Sequence, residues 1–146
     1  MSTVWMNQLS WVDYEARLKL HQPAILLPVG ALEQHGPHLP LGTDGLLSAA
    51  VAADAAARIG GLVAPTLSYG YKSQPKCGGG QHFCGTTSVD AATLIGSVRD
   101  AVREFARHGA TKRVIVNGHY ENQWFLTEGI DLGLRARKRD GILEVV

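Results

Sequence analysis

Short, wholly apolar runs alternate along the chain with stretches of helical period. Residues 24–29 form a continuous apolar run that ends at Gly30, the pattern of a strand buried on both faces. Residues 62–67 and 113–116 read as two further buried strands, apolar but for Thr66 and Arg113. Ser10 can cap a helix to about Leu20, with Trp11, Tyr14 and Leu18 on one face. Asp44 can cap a second helix through Ile59, which Gly60 and Gly61 end. Asp90 caps the clearest helix, where Leu94, Val98, Ala101, Val102 and Phe105 make one stripe before Gly109. A fourth helix follows Asn122 to about Lys138, with Trp124, Phe125 and Leu126 assigned to the core. Gly141 precedes a last apolar run, 142–146, read as the start of another strand. The order predicts an α/β fold, a mostly parallel sheet layered with helices. A helix would normally follow that last strand to cover one sheet face. Residues 1–146 are therefore expected to be a single domain that is the N-terminal portion of a larger one.

Composition narrows the functions available. Hydrophobic residues are 45% and charged residues 18%, which suits a globular chain rather than a disordered one. A net charge of +1 gives no electrostatic reason to expect nucleic acid or an anionic membrane as partner. Residues 1–20 contain no apolar signal-peptide core, and no run approaches a membrane span, so a cytoplasmic protein is expected. Cys77 and Cys84, seven apart in a Gly-rich stretch, do not make a disulfide framework.

Candidate chemistry lies in the loops. Glu33-Gln34-His35-Gly36-Pro37-His38 begins just past the first strand and closes with Asp44. Asn117-Gly118-His119-Tyr120-Glu121-Asn122 begins just past the third. Sites in parallel sheets form outside the carboxyl ends of strands, so both clusters belong at one edge. An isolated Glu-x-His usually marks a solvated loop. Two carboxylate–imidazole pairs at the same edge point instead to a metal site. Imidazole and carboxylate suit Zn2+ or Mn2+. Two His and three carboxylates exceed what one open tetrahedral ion needs. They suit two ions sharing a carboxylate, since about −3 against about +4 is brought near neutral by one hydroxide. Residues 68–88 form a long Gly-rich loop of the kind that is often functional. Its Gly78-Gly79-Gly80 run lacks the Lys-Ser/Thr of a phosphate loop, and no Gly-x-Ser-x-Gly appears anywhere. His21 and His108 read as helix-end or surface residues, while His38 and His82 sit within the candidate loops.

At these motifs the sequence resembles the creatininase family, the creatinine amidohydrolases. The resemblance lies in Glu33-Gln34-His35-Gly36-Pro37-His38, Thr43-Asp44, Tyr69-Gly70-Tyr71-Lys72-Ser73-Gln74, Gly78-Gly79-Gly80, Gly85-Thr86-Thr87-Ser88 and Asn117-Gly118-His119-Tyr120-Glu121-Asn122. It implies two divalent ions, Zn2+ and/or Mn2+. Glu33, Asp44 and His119 would hold one, and His35, Asp44 and Glu121 the other, with Asp44 bridging. It implies opening of a cyclic amide by a metal-bound hydroxide, creatinine to creatine and back. Glu121 would steer the water's proton, and Tyr120 and Cys77 would face the substrate. It also implies a homo-oligomer, a hexamer in the full-length form. Cys77 stands where the family pattern has Ser, and Cys84 where it has Pro. The family is longer than this chain, and its additional segment would cover the substrate and serve the leaving nitrogen. The alternatives are a related amidohydrolase acting on another amide and a non-catalytic metal-binding fragment.

Overall fold

Residues Ile25–Val29 form the central strand, β1, and every one of them is buried. The computed structural model describes residues 3–135 of the chain. On one side β1 pairs in parallel with β2, Leu62–Val63; on the other it pairs in parallel with β3, Arg113–Asn117. The order β2-β1-β3 follows from two crossovers. Helix α2, Thr43–Ile59, links β1 to β2, and α3, Ala91–Arg107, links β2 to β3. Helices α1, Trp11–His21, and α4, Gln123–Arg135, complete the described elements together with three short 3-10 turns.

The sheet separates two cores. Ile25, Leu27 and Val29 face one way and pack with Leu94, Val98 and Val102 of α3, Leu126 of α4 and Leu18 of α1. Leu26 faces the other way, with Val63 and with Ala52 and Ala56 of α2. This two-sided burial is why β1 reads as an unbroken apolar run rather than an alternating one. α3 and α4 lie against each other through small residues: a Cβ at Gly129 would stand 2.9 Å from the Ile95 carbonyl oxygen, and one at Gly133 3.0 Å from that of Arg99.

Most expected elements form, and the differences have local causes. The expected strand 62–67 holds only its first two residues as strand. Pro28 has no N–H to give the ladder, and an extra residue intervenes opposite it, Ala64 N–H donating to the Leu26 carbonyl and Leu67 N–H to that of Pro28. Pairing therefore resumes only as an isolated bridge between Val29 and Leu67. Ser10 caps α1 as expected, its Oγ accepting from the Asp13 amide. Trp11, however, is 77% exposed. Period places it on the core side, but it stands in the first turn and joins neither core cluster. Trp124, also in a first turn, is 66% exposed, whereas Leu126 is buried and Phe125 packs on the Tyr71 ring. Gly42, not Asp44, occupies the cap position of α2. Asp90 stands at the cap of α3 without a side-chain bond there. The expected strand 142–146 lies outside the described residues. Among those residues no helix is long and apolar enough to cross a membrane.

The close α3–α4 seam yields a stability prediction. Gly129→Leu should destabilise by about 1–3 kcal/mol through overpacking. Exposed Glu128→Ala, one position away, should stay within about 0.5 kcal/mol of the parent. Urea midpoints of the two variants decide, and equal midpoints would contradict the seam.

Candidate metal centre

The carboxyl ends of β1 and β3 each finish on a glycine, and both press on the first turn of α2. A Cβ at Gly30 would collide with the backbone of Gly45, and one at Gly118 with the carbonyl oxygen of Asp44. Hydrogen bonds hold these ends in place: Gly118 N–H donates to the Val29 carbonyl at 2.8 Å, and Gly30 N–H to that of Leu67 at 2.9 Å. Asp44 is thereby fixed inside the first helical turn, where the unpaired amides of the helix N-terminus favour a negative charge.

Its carboxylate divides between two imidazoles. Oδ1 lies 2.9 Å from His35 Nε2, and Oδ2 lies 2.9 Å from His119 Nδ1. Glu33 Oε1 also approaches His119 Nδ1, at 3.0 Å. The other nitrogen of His119, Nε2, lies 3.0 Å from the Tyr71 carbonyl oxygen and 3.4 Å from Glu121 Oε2. A carbonyl can only accept, so Nε2 carries a proton for it. In the neutral ring that leaves Nδ1 bare, its lone pair directed at two carboxylates. Asp44 Oδ2 correspondingly has no hydrogen-bond partner although it is buried. A bare ring nitrogen and an orphaned carboxylate oxygen facing each other fit a cation between them.

The donor set fits divalent ions in a second respect. Glu33, His35 and Asp44 each place a ligand atom within 4.8 Å of the others. His119 faces two members of that group from the far oxygen of Asp44. Each imidazole thus has its own oxygen of one carboxylate, the arrangement a bridging ligand requires. Glu121 sits at the rim of this group, its Oε1 accepting from the Gln74 amide at 3.2 Å.

All seven sequence-predicted residues, Glu33, His35, Asp44, Cys77, His119, Tyr120 and Glu121, line one cavity of about 540 Å3. Cys77 and Tyr120 are exposed at its mouth. His38 and His82, which sequence left open, are exposed and do not line it. Three supporting side chains escaped sequence reasoning. Asn122, fully buried, accepts from the Tyr71 amide at 2.8 Å and donates to the Gly30 carbonyl at 2.9 Å, joining the loops that carry the site. Ser73 accepts from Gly80 N–H at 3.0 Å, and the Gln34 amide reaches the Gly78 carbonyl. Their motifs were visible, but the backbone partners of Asn122 and Gln34 lie far away in sequence, and that of Ser73 lies across its own loop.

Burial alone would lower the His119 pKa, but the contact with Asp44 and the charges of Glu33, Asp44 and Glu121 hold it above its ordinary value of 6.5. A raised imidazole pKa stabilises the ion-free fold below 6.5, and that contribution is lost as pH rises through the folded value. A bound cation must displace the same proton, so its affinity rises with pH. Thermal melts of chelator-treated protein and of His119→Gln across this range check the first sign. Zn2+ titrations at the same pH values check the second, and an affinity indifferent to pH would contradict it.

The chain is similar to known proteins of one family over most of its length. The family profile Creatininase, described as creatinine amidohydrolase, matches residues 7–143. A creatinine amidohydrolase of Pseudomonas putida is 56% identical over 140 residues, 96% of this chain and 54% of that protein. A mycofactocin precursor peptide peptidase of Mycobacterium tuberculosis is 37% identical over 135 residues, 86% of this chain and 51% of that protein. The chain thus spans about half the length of these relatives. Three solved creatininases superpose with a TM-score of 0.93 over 97% of this chain and 55% of theirs, at 54–55% identity. One is described as an Mn form, one as the Zn–Zn type of a glutamate-to-glutamine variant, and one as such a variant complexed with creatine. By its family profile, its parallel sheet and its close match to these structures, this chain belongs to the creatininase family.

Proposed function

We propose that the chain carries the two-metal centre of a hydrolase that opens the cyclic amide of creatinine to give creatine, reversibly. The observation that carries this reading is the division of the Asp44 carboxylate between His35 and His119, with Oδ2 otherwise unsatisfied. In it, Glu33, Asp44 and His119 hold one ion, and His35, Asp44 and Glu121 the other. The P. putida relative's name and the creatine complex of a solved creatininase support the substrate. The Zn–Zn and Mn forms support Zn2+ and/or Mn2+.

When bound, such ions polarise an amide carbonyl and make a water acidic enough to attack near neutral pH. The residues of this chain supply the rest. Glu121, at the rim, takes the proton of the attacking water, and its bond from the Gln74 amide fixes its orientation. The Tyr71 carbonyl keeps the His119 proton on Nε2, leaving Nδ1 for the ion. Tyr120 and Cys77, at the mouth, contact the substrate. The cavity of about 540 Å3 is ample for a molecule of creatinine's size. Hydrolysis adds one water, breaks the ring C–N bond and leaves a carboxylate and a protonated nitrogen.

A second reading keeps the centre and changes the amide. The peptidase from M. tuberculosis supports it, since the same chemistry would then act on a peptide bond. In either reading residues 1–146 act as one metal-binding unit, working in the cytoplasm as a homo-oligomer. Leu46, Leu47 and Val51, all more than half exposed on α2, support association of copies.

Creatine formation from creatinine in the presence of Mn2+ or Zn2+ tests the proposal. Glu121→Gln should lower kcat by about 100- to 10,000-fold. Turnover of a peptide amide but not of creatinine would favour the second reading. Turnover of creatinine untouched by Glu121→Gln would remove the role given to that carboxylate.

A further inference from the structure

The cavity has two walls. One carries Glu33, His35 and Asp44; the other is the Gly-rich turn 75–80, which contributes Cys77 and Gly79. The turn has little intrinsic reason to keep one shape. A single 3-10 turn, Pro75–Cys77, runs into three glycines, with φ of +81° at Gly78 and +120° at Gly80. Glycine backbone has the most conformational freedom to lose on ordering. The far end of the turn is held by buried Ser73, whose Oγ accepts from Gly80 N–H at 3.0 Å.

The apex is held across the cavity by Gln34. Its Nε2 donates to the Gly78 carbonyl at 2.6 Å, and its Oε1 accepts from Gly36 N–H at 2.8 Å. The Gln34 backbone is itself anchored, its N–H donating to Thr86 Oγ1 at 3.1 Å. One carboxamide therefore joins the segment 33–36, which carries Glu33 and His35, to the opposite wall. The residues on either side of Gln34 in sequence are the two that face the Asp44 group.

We propose that Gln34 is a positioning residue: it couples the order of the ion-binding segment 33–36 to the turn 75–80, so that ion occupancy sets the wall against which substrate rests. This rests on the metal-site reading given above. An ion drawing Glu33 and His35 together restricts the backbone between them, and the Gln34 amide passes that restriction to Gly78. Without the carboxamide the ions still bind, but the apex at Gly78 no longer responds to them, while the foot of the turn stays tied to the site through the Gln74 amide on Glu121.

Hydrogen exchange read by mass spectrometry tests this on the whole chain, with and without Mn2+. Mn2+ is the probe because it is less drawn to the Cys77 thiol than Zn2+ is. Gln34→Met keeps the side-chain length and loses both bonds. Gln34→Glu keeps the acceptor for Gly36 and loses the donor to Gly78. Both variants should exchange the turn amides about three- to tenfold faster than the parent without metal, as the loss of one such bond implies. Exchange in α3 should not change. Mn2+ should slow the amides of residues 78–80 in the parent and not in the variants. With creatinine, KM should rise by a similar factor while kcat stays the same.

Equal turn exchange in parent and variants overturns the proposal, as does acceleration spread equally over α2 and α3. Bound Mn2+ that leaves the parent's turn unchanged overturns the coupling while the metal reading stands. Elemental analysis showing no bound Mn2+ in the parent ends the metal reading and the coupling with it. The ion-free comparison then still decides whether Gln34 holds the turn.

Discussion

The candidate site depends on one steric constraint: two strand ends close on the first turn of α2 with room for hydrogen atoms and nothing larger. Gly30 follows β1 and Gly118 follows β3, and a side chain at either would occupy the backbone of Asp44 or Gly45. Because that turn cannot shift, the Asp44 carboxylate has one position. His35 and His119 arrive at it from loops that leave two different strands. A parallel sheet makes this possible by bringing the carboxyl ends of β1 and β3 to the same edge.

Electrostatics then dictate what the position can hold. Three carboxylates, Glu33, Asp44 and Glu121, surround one buried imidazole. Such a cluster is unstable without positive charge. In the ion-free protein the three carboxylates raise the His119 pKa, which favours the charged imidazolium over the neutral ring. Divalent ions satisfy the same acids more completely, because they also use the orphaned Asp44 oxygen. Proton and ion compete for one site, so the folding stability of the ion-free form and the ion affinity move in opposite directions with pH.

The sequence made the skeleton legible because apolar runs and helical stripes follow from burial alone. Where Glu33, His35, Asp44, His119 and Glu121 would gather was equally readable, since both clusters begin at strand ends. What period could not convey is extent. Trp11 and Trp124 fall on apolar faces but lie in first turns, where the face meets solvent. The second strand's brevity depends on Pro28 of the neighbouring strand and on a one-residue slip of the ladder between Ala64 and Leu67, which period does not convey. Asp44 looked like a cap because Asp is a good one, whereas its carboxylate is turned toward the imidazoles. The fastening side chains were the least legible. Asn122 donates to a carbonyl 92 residues away, and Gln34 to one 44 residues away. Such pairings exist only once the fold has placed the loops.

Asp44 is the ligand that both ions would share. Divalent ions per chain, counted by elemental analysis after dialysis in the parent protein and in Asp44→Ala, test that directly. The account predicts two ions per chain in the parent and loss of both in the variant, with circular dichroism showing the variant folded. A folded Asp44→Ala that retains two ions, or a parent that binds no more than one at saturation, would contradict it.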